Sequence, residues 1–236
     1  MIKQSEISNE KKPENNPLIK VEELSLSFIQ YALGLKQTEL KVISNLSIEA
    51  YKGEILAVVG SSGSGKSLLA HAILGILPSN AKLDGKIEYE NQELTQKKKE
   101  EFRSKEIALV PQSVNYLDPL MRISDQVIGT VEEGKQSLMK KLQREIFQRY
   151  DLKPDVERMF PHELSGGMAR RVLVSTAVIS SSKLVIADEP TPGLDDKTLN
   201  ETLNYLRDMA DRGCAVILIT HDIGAALKIS NKIAVF

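Results

Sequence analysis

The sequence predicts an α/β fold with a mainly parallel sheet, and three observations predict it. The first is Glu54-Ile-Leu-Ala-Val-Val59, a short apolar run rich in β-branched residues that reads as a buried strand. The second follows at once. Gly60-Ser61-Ser62-Gly63-Ser64-Gly65-Lys66-Ser67 fits the G-x-x-x-x-G-K-[ST] phosphate-binding pattern. It opens an apolar helical run from Lys66 to Leu77, stopped by Pro78. The third is the C-terminal rhythm of strand 183–188, helix 196–211, strand 214–220, helix 222–229 and a strand from Lys232, which builds a parallel sheet.

The remaining elements follow in order. Residues 1–16 are polar, with Asn-Glu-Lys-Lys-Pro-Glu-Asn-Asn-Pro, and read as a disordered tail before a domain spanning 17–236. Leu18 to Phe28 and Leu40 to Ile48 partly alternate, giving two strands of an N-terminal antiparallel subdomain. Asp84-Gly85 reads as a turn, and Lys86-Ile-Glu-Tyr-Glu90 as an edge strand. Gln96 to Lys105 is charged throughout and reads as a solvated helix. Ile107 to Gln112 is a buried strand ending at Pro111. Residues 112–163 then turn to helix formers, clearest from Gly134 to Tyr150. They read as a helical subdomain inserted into a core of 17–111 and 164–236.

Composition narrows the function. The chain has 236 residues, 42% of them hydrophobic, so it can bury a sizeable core. A net charge of −1 supplies no basic field to draw it to nucleic acid. Its one cysteine, Cys214, lies in an apolar run, so no disulfide framework is possible and a reducing cytosol suits it. No apolar run approaches the ~18 residues of a membrane span, and the first residues lack a signal-peptide core. Work at a membrane would be from the cytoplasmic side, through partners.

The phosphate-binding run has a division of labour. Gly60, Gly63 and Gly65 let the backbone turn tightly and approach an anion without a Cβ in the way. The N–H groups of Ser61, Ser62, Ser64 and the helix start at Lys66, Ser67 and Leu68 then point at phosphate. Lys66 brings a mobile positive charge, and Ser67 a hydroxyl for Mg²⁺, an ion that takes few protein ligands. Leu184-Val-Ile-Ala-Asp188-Glu189 is an apolar strand ending in two carboxylates. Asp188 is placed beside the metal, and Glu189 is the candidate general base for water attacking phosphorus. Leu164-Ser165-Gly166-Gly167-Met168 precedes another helix and could form a second anion site. Alone it would be an N-cap and turn. Two such sites in one chain fit a dimer in which each phosphate-binding loop faces the other chain's Ser-Gly-Gly. Phe28, or Tyr31, could face a nucleotide base, although periodicity alone makes Phe28 a core residue. His71 and His162 read as helix-face and loop residues.

Taken together and in this order, the motifs resemble those of the ATP-binding cassette (ABC) family over residues 18–236. They are the phosphate loop at 60–67, Gln112 after a strand, Leu-Ser-Gly-Gly-Met at 164–168, Asp188-Glu189, Pro192-Gly-Leu-Asp195 and Thr220-His221-Asp222. The resemblance implies an ATPase using ATP and Mg²⁺, with Phe28 stacking on adenine. It implies that Gln112 senses Mg²⁺ and the attacking water and links them to the helical subdomain. Ser165 and Gly167, with Gly166 between them, would contact the γ-phosphate bound by the opposite subunit. Asp195 would communicate between sites, and His221 would hold the γ-phosphate and the water.

The stretches Phe102 to Gln112, Leu117-Asp-Pro-Leu-Met and Gln126-Val are similar to the oligopeptide and nickel importer branch. Pro161-His-Glu-Leu-Ser-Gly-Gly-Met-Ala-Arg-Arg171 resembles its nickel-type members. The helical subdomain is short for that branch, and its members continue past the position of Phe236. The expected assembly is two cassettes, identical or paired with a relative, on two permease subunits at the cytoplasmic face of the membrane. An extracytoplasmic substrate-binding protein would act indirectly, and no nucleic acid takes part. The alternatives are a soluble cassette ATPase acting on DNA or ribosomes, which would carry a coiled-coil insertion or a second cassette, or the cassette of an exporter.

Overall fold

The computed structural model describes residues 16–31, 37–103, 105–129, 134–192 and 194–236. The expected N-terminal tail, save Asn16, lies outside the described residues, as does the side chain of Tyr31.

Nine strands form two sheets among the described residues. β1 (Ile19–Tyr31), β2 (Gln37–Ala50), β4 (Ala81–Tyr89) and the two-residue β5 (Gln92–Glu93) make an antiparallel sheet in the order β2-β1-β4-β5. β3 (Ile55–Val59), β6 (Ile107–Val110), β7 (Leu184–Asp188), β8 (Ala215–Thr220) and β9 (Lys232–Val235) make an all-parallel sheet in the order β6-β7-β8-β3-β9. Every residue of β3, β7 and β8 is buried, as strands covered on both faces must be.

The period of two divides the core. Leu56 and Val58 of β3, Leu184 and Ile186 of β7, and Ile217 of β8 face a cluster shared with the antiparallel sheet and with Leu69 and Ile73 of α1 (Lys66–Leu74). Their neighbours Ile55, Val185 and Val216 face the opposite way. There they meet Val172 and Leu173 of α5 (Gly166–Ile179) and Leu203 and Leu206 of α6 (Asp196–Asp211).

Among the described residues, 112–163 hold α3 (Ile123–Ile128), α4 (Gln136–Arg149) and three short 3₁₀ helices. Phe147, Tyr150 and Val127 from this segment join the same cluster as α5, so the helical segment packs on that helix and not as a detached unit. A seventh helix, α7 (Ile223–Ile229), separates β8 from β9. No described helix is long and apolar enough to cross a membrane.

Three local readings change. α1 ends at Leu74 and not near Pro78, because Gly75 takes a left-handed conformation at φ 68°. The N–H groups of Gly75 and Ile76 then close back on the carbonyls of Ala72 and His71. α2 (Gln96–Phe102) is less solvated than its charge suggests, since Lys99 is buried and lies over Gly75. Asp84-Gly85 is no turn but lies inside β4, opposite the point where β1 shifts register between Glu22 and Ser25. Gly85 adopts φ 98°, and a Cβ there would stand 2.6 Å from the Glu23 carbonyl oxygen. Only glycine lets the bulged backbone come this close. Gly85→Ala is expected to destabilise the chain by about 1–3 kcal/mol, read as a lower urea midpoint at unchanged m-value.

Candidate functional site

The site forms where the parallel strands end at their carboxyl termini, the usual crevice of an open α/β sheet. β3 delivers the phosphate-binding loop. Gly63 and Gly65 take φ 79° and 95°, conformations that disfavour any residue with a Cβ. At Gly65 a Cβ would also meet Val42 Cγ1 of β2 at 2.5 Å, so the antiparallel sheet closes against the loop. The Lys66 side chain is only 4% exposed. Its Nζ donates to the carbonyls of Gly60 at 2.9 Å and Ser61 at 2.7 Å, and lies 3.7 Å from Glu189 Oε1. The Ser64 hydroxyl is buried without a hydrogen-bond partner among the described residues.

β7 delivers the carboxylates. Ser67 Oγ donates to Asp188 Oδ1 at 2.9 Å. Burial pushes the Asp188 carboxyl above its ordinary pKa, and the Ser67 hydrogen bond opposes the shift. Glu189 then turns sharply at φ 45°, anchored by its N–H to the Ile219 carbonyl of β8. That turn aims its Oε2 at His221 Nδ1, 2.8 Å away, just past the end of β8. With the carboxylate ionised, Nδ1–H is the donor and Nε2 is free to act elsewhere. Lys66, Glu189 and His221 thus stand in one polar line beside the Ser67–Asp188 pair.

A second group lies apart. Ser165 caps α5 by accepting from the Met168 N–H, and Ser165 and Gly166 are exposed. Gly167 sits beside Thr198 of α6. Asp195 caps α6, accepting from the N–H groups of Lys197 and Thr198 and from the Thr198 hydroxyl, which hold its carboxyl below the ordinary range. Gly193 of the same motif lies outside the described residues. Among the described residues no hydrogen bond or ion pair directly joins this group to Lys66, Ser67, Asp188, Glu189 or His221. Phe28 is half-buried on β1, paired with Leu40 and Ala81, and packs on the core. Leu68 also packs there, half-buried, at the start of α1.

Gln112 has an exposed side chain just past β6. Its carbonyl accepts from Arg170 Nη2 at 2.9 Å, and the Pro111 carbonyl accepts from Nη1 at the same distance. Sequence reasoning passed over Arg170. The available signal was its place in α5, on the face of Leu173, Val174 and Ala177, where helical periodicity calls for an apolar side chain.

The donor set suits a nucleoside triphosphate with Mg²⁺. A loop rich in N–H groups, a buried hydroxyl lacking a partner at Ser64, an ammonium and two hard oxygen donors at Ser67 and Asp188 are all present.

A sequence model of the ABC transporter family matches residues 43–192. The chain belongs to that family. This ABC chain is 32% identical over 230 residues to the oligopeptide transport ATP-binding protein OppD of Bacillus subtilis, covering 92% of this chain and 63% of OppD. It is 31% identical over 231 residues to the dipeptide transport ATP-binding protein DppD of Lactococcus lactis, covering 92% and 64%. It therefore spans a little under two thirds of the length of these two relatives. Among solved structures, the dimeric bacterial ABC transporter cassette MJ0796 superposes with a TM-score of 0.76 at 25% identity, over 92% of this chain and 94% of that one. The same cassette in a post-hydrolysis state bound to ADP and Pi gives 0.76 at 24% identity and the same coverage, a likeness of fold.

The raised Asp188 pKa has a consequence for the ligand-free ABC chain. Ionisation is disfavoured in the folded state, so the associated stability is full below the ordinary value of 3.8 and is lost as pH rises through the folded value. Asp188→Asn keeps an acceptor for Ser67 and removes the buried charge. Without nucleotide or metal, it is expected to melt above the wild type at pH 7, with the gap closing as pH falls toward 4. Equal melting at both pH values would contradict this.

Proposed function

We propose that this chain is the ATP-binding and ATP-hydrolysing subunit of a membrane importer for peptides. The observation that carries the chemistry is the line from Lys66 through Glu189 to His221, set beside Ser67–Asp188. The names of the oligopeptide and dipeptide relatives support the substrate class over nickel complexes. They also weigh against a soluble cassette acting on DNA or ribosomes.

In this reading the loop N–H groups and Lys66 bind the triphosphate and offset its charge, and Ser67 and Asp188 hold Mg²⁺, directly or through water. When bound, the ion would neutralise charge that develops on the phosphate oxygens. Glu189 takes the proton of the attacking water. His221 keeps the Glu189 carboxylate oriented through Nδ1 and leaves Nε2 for the γ-phosphate. Gln112 reports on the site from the end of β6, and Phe28 stacks on the base. Ser165, Gly166, Gly167 and Asp195 act on the nucleotide of a second cassette, identical or related, which accounts for their separation from the first group. The subunit works at the cytoplasmic face of the membrane, with two permease subunits and, indirectly, a capture protein.

In this reading a permease would dock on the exposed loop around Leu120. Tyr116 is 61% exposed and Leu120 86%, and Met121 is exposed beside them. Gln126 braces this loop by accepting from the Asp118 N–H and donating to the carbonyls of Asp118 and Met121.

Two experiments test the reading. Glu189→Gln should bind ATP as tightly as wild type while turnover falls by ~10²–10⁴-fold, and Lys66→Ala should lose tight binding. Near-normal hydrolysis by Glu189→Gln would remove Glu189 as the base. Leu120→Glu should keep nucleotide affinity and melting temperature yet no longer co-purify multi-span proteins from native membranes. Undiminished recovery of such proteins would take this loop out of the interface.

A further inference from the structure

Arg170 is a charged side chain in a place built for an apolar one. It is 6% exposed and lies on the buried face of α5. Among the described residues it forms no ion pair. Both terminal nitrogens instead donate to consecutive carbonyls, those of Pro111 and Gln112, at 2.9 Å each. Its Nε is buried with no hydrogen-bond partner among the described residues. Burial lowers the guanidinium pKa from its ordinary value. Leaving a charge so enclosed is costly, and a purely packing role would be met by leucine or methionine. What the fork achieves is geometric. A planar guanidinium sets the direction of both donors in one rigid fork, whereas an ammonium can reach two carbonyls, as Lys66 does, without fixing their relative geometry.

The two ends of this contact belong to different parts of the site. Pro111 and Gln112 follow β6, whose strand hydrogen bonds end at Val110. Arg170 lies a little over one turn into α5, the helix that Ser165, Gly166 and Gly167 begin.

We propose that Arg170 is a positioning residue that locks the backbone at Gln112 to the start of α5, so that the two move as one body. The proposal rests on the roles given above to Gln112 and to the Ser-Gly-Gly start of α5. A change at Gln112 on nucleotide binding in one site is then carried, through the guanidinium fork, to the residues that act on the nucleotide of the second cassette. Arg170 touches neither nucleotide nor metal in this scheme. It acts only through the carbonyls it holds.

The test uses the full chain with its native partners and four variants: Arg170→Met, Arg170→Lys, Gln112→Ala and the double variant Arg170→Met/Gln112→Ala. Turnover, ATP affinity, the Hill coefficient for ATP and backbone hydrogen exchange over 111–117 are measured. Arg170→Met should lower kcat about tenfold with ATP affinity within about twofold of wild type. Its Hill coefficient should fall toward one, and exchange over 111–117 should quicken. Arg170→Lys, which keeps the charge but replaces the rigid fork with a rotatable ammonium, should fall between Met and wild type, and it decides the matter should Arg170→Met fail to fold. In the Gln112→Ala background the Met substitution should cost little more. A wild-type kcat and Hill coefficient in both Arg170 variants would overturn the proposal, as would an undiminished effect of Arg170→Met without Gln112. Should Gln112→Ala itself turn over normally, the role of Gln112 falls and the lock falls with it. Loss of hydrolysis in Glu189→Gln would still stand, which separates this failure from that of the ATPase reading.

Discussion

The Lys66 ammonium is almost sealed from water, and the site is arranged around that charge. A buried ammonium without oxygen partners would cost several kcal/mol, on the order of its desolvation penalty. The carbonyls of Gly60 and Ser61 and the carboxylate of Glu189 supply those partners. The need propagates outward. Glu189 reaches Lys66 only because its backbone turns at φ 45°, and it holds that turn through the Ile219 carbonyl. His221 then occupies the other carboxylate oxygen. One desolvated cation thereby ties the ends of β3, β7 and β8 to one another through polar contacts, while the hydrophobic alternation beneath holds the same strands through packing.

The same need explains why the site is split. Residues that meet the Lys66 charge come from strand ends, where a parallel sheet gathers them. Ser165 and Asp195 sit at helix starts, where their side chains satisfy N–H groups of their own helices. Those caps fix the first turns of α5 and α6 side by side, with Gly167 against Thr198. The result is an exposed surface at Ser165 and Gly166 that, among the described residues, shares no hydrogen bond or ion pair with the chain's own phosphate loop. A solved ABC transporter cassette of the same fold is dimeric.

Much of this was legible in the sequence, for identifiable reasons. β3, β7 and β8 announce themselves because strands buried on both faces must be apolar throughout. The phosphate loop and the paired carboxylates stand out because each ends such a strand with polar groups, whereas only the family resemblance singles out His221. The features that escaped depend on a second piece of chain. Gly85 looks like a turn until the bulge in β1 is set opposite it. Gly75 ends α1 before Pro78 is reached, and the two stops cannot be ranked without the closing hydrogen bonds. Arg170 and its carbonyls are far apart in sequence and nothing in the residue types links them. Phe28 stays a core residue by periodicity and packing, and only the family resemblance gives it a base to stack on.

The alternation in β7 carries a penalty for small changes of length. Leu184 and Ile186 fill one core while Val185 and Ala187 fill the other, and the chain leaves the strand at Asp188. Deleting a single residue inside β7 would reverse which side chains enter each core and pull the carboxylate pair back by one position, away from Ser67 and Lys66. Folding and chemistry would fail in the same stroke. β7 therefore tolerates a change of side-chain size better than a change of length, and the loops on either side of it are where a residue can be gained or lost without reversing the two cores.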